Sequence, residues 1–209
     1  DSCLILLDAA ASLGTFCNGE FSGAEADFVC WSFDSMKLLV CGEGGAAYFK
    51  NLDILERFKE YSYLGLPSNE KSGIDRSQAD DEVWWEYQLS VPGRRSVFTN
   101  INAAIGLPKL KILDGKLRRR SEIRDFYVKE LEDIQGFSFL DQKQESTTYS
   151  NYFCTLITSK RNNLAKYLKN NDIYTTFRYF PIHKINIFKE FCLDCKNAEK
   201  FSDTALNIP

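Results

Sequence analysis

The sequence predicts an α/β fold, a mostly parallel sheet with helices, followed by a smaller α+β part. Three observations carry this expectation. Leu4 to Leu7 is a continuous apolar run closed by Asp8; Phe28 to Phe33 and Gly45 to Phe49 are two more such runs, joined through a glycine-rich turn at residues 41 to 45; and helical patterns follow them.

Taken in order, Leu4 to Leu7 reads as a strand buried on both faces of a sheet, with an acid at the end where α/β folds place their chemistry. After the second and third runs, Leu52 to Tyr61 reads as a helix with Asn51 as its N-cap and apolar residues at 52, 55 and 58. Gly65 to about Glu82 is polar and rich in turn-forming residues, which predicts a long surface loop. Trp84, Trp85 and Tyr87 follow it, as anchors for the loop or for a subunit contact. Helices are expected at Asn100 to Gly106 and Pro108 to Ile134, the second with a stripe of Leu110, Leu113, Leu117, Ile123, Phe126, Tyr127 and Leu131. Beyond Gly136 the pattern predicts a strand at Tyr152 to Thr158, a helix at Asn162 to Asn171 and a strand at Ile173 to Tyr179. The expected domains are residues 1–112 and 113–209.

Composition narrows the function classes. Of 209 residues, 44% are hydrophobic and 26% charged, the balance of a globular chain. A net charge of -3 offers no general attraction to nucleic acid or an anionic membrane, and the basic run Lys116 to Arg120 reads as a solvated helix face. No apolar run approaches the ~20 residues of a membrane span, and the start lacks the basic residues of a signal peptide. A cytoplasmic protein is expected. Seven cysteines, an odd count, suit a reducing compartment, and Cys192 with Cys195 forms one C-x-x-C accompanied by a single histidine, His183. A structural zinc site needs four ligands, so no metal is expected.

Lys37 follows the second apolar run and precedes the glycine-rich turn. It reads either as a surface lysine or as a Schiff-base lysine, which requires an acid for a pyridine nitrogen and donors for a phosphate. Asp8 is the acid, since a carboxylate at the end of a buried strand calls for a cation. Ser32, five residues before Lys37, is a hydroxyl donor, and Gly42, Gly44 and Gly45 permit a close turn.

The segments "LLDAAASLG", "WSFDSMKLLVCGEGGAAYFKN", "TNINAAIGLPKLKIL" and "IYTTFRYFPIH" together resemble the DegT/DnrJ family of pyridoxal-phosphate-dependent sugar aminotransferases, of the aspartate-aminotransferase (type I) fold. The resemblance implies that Lys37 carries pyridoxal phosphate covalently and shuttles a proton, that Asp8 pairs with the pyridine nitrogen, and that Ser32 holds the phosphate. It implies transfer of an amino group, from glutamate, to a keto sugar of a nucleotide-sugar, and a homodimer for the full-length protein. A histidine replaces the lysine in the dehydrating members of the family, so Lys37 favours amino transfer.

Two positions depart from the family pattern. Ala11 stands where a glutamine or histidine usually meets the ring oxygen, and Arg95 aligns with an asparagine that reaches the phosphate of the neighbouring subunit. Arg95 is either a phosphate ligand or an exposed loop arginine. His183, in "FPIH", is either on the sugar-nucleotide side of the cleft or a packed residue; Arg178 either meets an anionic part of the substrate or faces solvent. The resemblance also implies an internal fragment, without the family's N-terminal part and extreme C-terminus. A catalytically silent piece that folds or oligomerises without cofactor is the alternative.

Overall fold

The structure, a computed structural model, describes residues 3–67, 77–78, 83–86, 88–140, 145–191 and 194–209. In chain order its elements are β1 (Leu6–Asp8), β2 (Phe16–Cys17), β3 (Glu20–Phe21), β4 (Phe28–Ser32), β5 (Gly45–Phe49), α1 (Leu52–Ser62), α2 (Asn100–Lys111) and α3 (Leu113–Leu131). There follow β6 (Ser138–Phe139), β7 (Thr147–Thr148), β8 (Cys154–Ile157), α4 (Arg161–Asn170), two 3-10 helices (Ile182–Lys184 and Asn186–Phe191), α5 (Lys196–Thr204) and β9 (Ala205–Ile208). These elements form two compact units, one of residues 1–13 and 21–113 and one of residues 14–20 and 114–209.

The first unit is built on a sheet of order β1-β4-β5. β1 runs parallel to β4, with Asp8 opposite Cys30, and β5 returns antiparallel, with Ser32 opposite Gly45. Alternation along the strands puts Leu7, Val29, Trp31 and Tyr48 on one face, where Val29 is fully buried with Ala9 and Ala26, and Phe21 packs against them. The opposite face carries Leu6, Phe28, Cys30, Ser32 and Phe49. There Phe28 meets Phe49, and Phe49 meets Phe58 of α1 at a ring separation of 4.8 Å.

The expectation of a strand buried on both faces is corrected at β1. Leu4, Ile5 and Leu6 are exposed, Leu6 by 71%. Asp8 is exposed as well, so the cost of a buried carboxylate no longer argues for a cation beside it. Apolar sequence sets the tendency to be buried; what covers a face is a tertiary matter.

Helix α1 starts where the cap predicts. The Asn51 Oδ1 accepts the amides of Asp53 at 2.8 Å and Ile54 at 3.4 Å, satisfying donors that have no intrahelical partner. The predicted break before Pro108 is wrong, because α2 continues through it to Lys111, with Ile112 as its C-cap. Proline removes one amide from the ladder, but here the surrounding packing keeps the helix: Gly106 is buried so closely against Cys41 that a Cβ would lie 2.5 Å from its Sγ.

The second unit holds an antiparallel sheet of order β6-β8-β9 and the antiparallel pairing of β2 with β7. β9 is its most buried strand, with Leu206 fully buried beside Leu156. Asn207 is also buried, and its Oδ1 accepts the Thr155 hydroxyl at 2.7 Å, which satisfies the polar group. Arg161 donates to the Ser202 carbonyl at 2.6 Å and lies over the Phe177 ring, joining the start of α4 to the end of α5. The strand predicted at Ile173 to Tyr179 is replaced by a single bridge between Thr176 and Asn207. β9 pairs along its length with β8, so this segment contributes two backbone bonds rather than a ladder.

Candidate functional site

Ser32 ends β4, and the chain then makes an excursion closed at its neck by two backbone bonds. The Phe33 amide donates to the Gly44 carbonyl at 2.8 Å, and the Cys41 amide donates to the Phe33 carbonyl at 2.9 Å. Lys37 lies within this loop, half-buried, between exposed Ser35 and Met36 and buried Leu38 and Leu39. The two buried leucines anchor the part of the loop that follows the lysine.

Asp34 shapes the turn before it. Its Oδ1 accepts the Met36 amide at 2.9 Å and its backbone carbonyl accepts the Lys37 amide at 3.0 Å. The Met36 hydrogen bond holds the Asp34 carboxyl below its ordinary value, and the Lys37 charge acts in the same direction.

Asp8 and Ser32 come together through strand register. Asp8 is opposite Cys30 in the parallel pair, and Ser32 lies two residues further along β4, so all three side chains leave one face at the C-terminal end of the pair. Asp8 Oδ1 accepts the Ala10 amide at 2.9 Å, and Ser32 Oγ accepts the Asp34 amide at 3.4 Å. Carboxylate, hydroxyl and the amine-bearing loop therefore belong to one strand pair and the connection leaving it.

Arg95 is held elsewhere in this unit. It bridges Tyr63 just after α1, where the Arg94 amide donates to the Tyr61 carbonyl at 2.6 Å and the Ser96 amide to the Ser62 carbonyl at 2.8 Å. The backbones approach so closely that a Cβ on Gly93 would lie 2.2 Å from the Gly65 nitrogen. The Arg95 side chain is exposed.

His183 and Arg178 belong to the second unit. His183 Nε2 lies 2.9 Å from Glu199 Oε1, and Lys184 Nζ lies 2.9 Å from Glu199 Oε2, so one carboxylate joins the first 3-10 helix to α5. The Lys184 hydrogen bond, with that of His183, holds the Glu199 carboxyl below its ordinary 4.5. A lowered native value means that its stabilising contribution is complete above 4.5 and is lost as pH falls through the lowered value. Replacing Glu199 by glutamine is therefore expected to flatten the acid limb of stability below pH 4.5, read from denaturation midpoints along that limb. Arg178 is half-buried, its guanidinium 5.9 Å from the Tyr179 ring centre.

Sequence reasoning missed Glu199 and Asn102. Glu199 carried only the ordinary signal of an acid in the first turn of a helix. Asn102, in α2, donates to the Cys41 carbonyl, 61 residues away in sequence, and no local pattern announces such a bond.

Cys41 is buried, Cys17, Cys30, Cys154 and Cys195 are half-buried and Cys3 is exposed, and none of these six is disulfide-bonded. Cys192 and Tyr87, and most of the predicted loop from Gly65 to Glu82, lie outside the described residues. Among the described residues no group of three His, Cys, Asp or Glu side chains is placed to hold a metal.

The parallel strand pair ending in an acid and a hydroxyl, followed by a pinned lysine loop, lies within an α/β fold shared with sugar aminotransferases. Known structures agree: an aminotransferase from Streptoalloteichus hindustanus is 29% identical, with a TM-score of 0.84 over 98% of this chain and 52% of its own. A protein of Streptococcus pneumoniae solved in its PMP form is 25% identical, with a TM-score of 0.85 over 99% of this chain and 53% of its own. Residues 2–209 match the DegT/DnrJ/EryC1/StrS aminotransferase family, and the chain belongs to it.

Among curated relatives, a dTDP-4-dehydro-2,3,6-trideoxy-D-glucose 4-aminotransferase of Saccharopolyspora spinosa is 30% identical over 99% of this chain and 53% of its own length. The GDP-perosamine synthase of Escherichia coli O157:H7 is 24% identical over 98% and 52%. The chain spans about half the length of the curated relatives it matches.

Proposed function

We propose that the whole protein is a pyridoxal-phosphate-dependent aminotransferase that moves an amino group from glutamate to the keto sugar of a nucleotide-sugar. The observation that carries this reading is the common face of Asp8 and Ser32 at the end of the β1–β4 pair, with Lys37 on the connection that leaves it. Family membership and the names of the relatives support the same class of substrate.

The donor set fits the cofactor. An exposed carboxylate, a hydroxyl and a primary amine are the three groups that a pyridine nitrogen, a phosphate and an aldehyde require, and Cys30 between the first two is small enough to leave the face open. Bound there, pyridoxal phosphate supplies an electron sink that lets a hydrogen on an amine-bearing carbon leave as a proton. Asp8 would hold a proton on the ring nitrogen by charge pairing. Ser32 Oγ would donate to the phosphate. Lys37 Nζ would bind the aldehyde carbon and, once displaced by substrate, take a proton from one carbon and return it to another.

Arg95, exposed and always charged, is assigned to a phosphate, in the neighbouring subunit of a homodimer as the family pattern has it. Arg178 and His183 are assigned to the nucleotide-sugar, His183 being oriented by Glu199. No helix among the described residues is long and apolar enough to cross a membrane. A cytoplasmic site of action is part of this reading and rests on the cysteine usage.

Incubation with pyridoxal phosphate, borohydride reduction and mapping of the modified lysine test the assignment. One label per chain at Lys37 is expected. Labels scattered over surface lysines, with none at Lys37, would sink it in favour of a piece that folds without cofactor.

A further inference from the structure

The loop bearing Lys37 returns to β5 through residues 41–45, and α2 grips that return limb. Asn102 Nδ2 donates to the Cys41 carbonyl at 2.7 Å and to the Glu43 carbonyl at 3.0 Å. Both amide protons of one side chain are thus committed to a single turn. At Gly42, between the two carbonyls, φ is +87° and a Cβ would lie 3.3 Å from the Asn102 nitrogen.

The grip is itself oriented. The Thr99 Oγ1 caps α2 by accepting the Asn102 backbone amide at 3.2 Å, and the Thr99 hydroxyl donates to Asn102 Oδ1. With the oxygen engaged by Thr99, the side-chain nitrogen faces the turn. On either side, Phe98 lies where a Cβ on Gly44 would stand and Gly106 receives the Cys41 sulfur. The turn also supplies both neck bonds, through the Gly44 carbonyl and the Cys41 amide.

We infer that Asn102 is a positioning residue for Lys37: its two donated hydrogen bonds fix the return turn, and through the neck bonds they fix the loop that presents the lysine amine. This inference rests on the reading of Lys37 given above. Asn102 touches the reacting groups only through the turn, and no other side chain of its size supplies two donors and an acceptor in one plane.

The test compares Asn102→Asp, which keeps the shape and removes both donors, with Asn102→Ala, Asn102→Gln and the control Asn100→Gly, at an exposed position of α2. Two readouts apply: borohydride-fixed pyridoxal phosphate at Lys37, at limiting cofactor, and hydrogen exchange of the Cys41 amide. Asn102→Asp and Asn102→Ala are expected to lower the label about tenfold and to speed exchange by a similar factor. Asn102→Gln restores part of both, and Asn100→Gly leaves both unchanged. Wild-type labelling at Lys37 in all four variants would overturn this inference and leave the proposed function standing. An equal loss in Asn100→Gly would overturn it too, since general weakening of α2 would then suffice. An unlabelled Lys37 in the wild-type protein would overturn the cofactor reading, and this inference with it.

Discussion

If Lys37 carries the cofactor as proposed, Lys37→Ala is expected to abolish covalent retention of pyridoxal phosphate and to lower the amino-transfer turnover of the whole protein by about 10³-fold or more, since both the tether and the base would be lost. The physical argument is specific to an amine. Lys37→Arg keeps a positive charge on the same loop, yet a guanidinium neither forms the covalent bond nor gives up its proton near neutral pH. Both variants should therefore fail alike, with the loss in kcat rather than in KM. The measurements are absorbance of the purified protein after dialysis against pyridoxal phosphate, and release of the 2-oxo acid from glutamate in the presence of a keto nucleotide-sugar. An arginine variant that keeps more than a tenth of wild-type turnover would show that the lysine serves only as a charge.

Leu206→Ala should carry the largest stability loss. Leu206 is fully buried in β9 and lies opposite Leu156 of β8, which is 2% exposed. Truncating such a leucine removes its transfer energy and leaves a cavity, a cost of about 3 kcal/mol. The control is Leu6→Ala in this 209-residue chain, where a side chain 71% exposed should change stability by no more than about 0.5 kcal/mol. Denaturant titration reads both. Equal effects would mean that Leu206 does not sit in a packed core in solution.

That pair of leucines also shows where sequence reasoning reached its limit. Leu4 to Leu7 is the most conspicuous apolar run near the start of the chain, while Leu206 sits in a four-residue strand that continues directly from α5. Periodicity ranks the first as core and gives the second no weight. Burial depends instead on which elements lie over a face. β8 takes β9 as its partner, and the aromatic run at Ile173 to Tyr179 is left with one bridge.

Features coded within a few residues were legible. The Asn51 cap is a bond to amides two and three residues ahead, so α1 begins where its residue types place it. β4 and β5 were readable as strands because each is an apolar run bounded by a turn, whereas their antiparallel pairing, across a twelve-residue connection, was decided by the fold. Pro108 was misread for the converse reason. A local rule placed a helix end there, whereas the packing of Gly106 on Cys41 belongs to the fold.

The candidate site divides in the same way. Lys37, Ser32 and the glycines around 42 to 45 form a contiguous pattern, and Asp8 stands out as an acid ending an apolar run; these were visible as residue types in order. That Asp8 and Ser32 leave one face is a matter of β1–β4 register, which pairs residues 22 apart. Glu199 beneath His183, and Asn102 on the turn beyond Lys37, are bonds across 16 and 61 residues.

By itself the sequence determined the family, the capped helix, the two well-bounded strands and the order in which an acid, a serine and a lysine follow one another along the chain. Only the tertiary structure decided which apolar runs are core, which carboxylate holds the histidine and what grips the lysine loop. Caps and turns close hydrogen bonds within a few residues, so residue type suffices to announce them; burial and long-range polar contacts depend on surfaces brought together by the whole chain, where residue type states a tendency and topology chooses the partner.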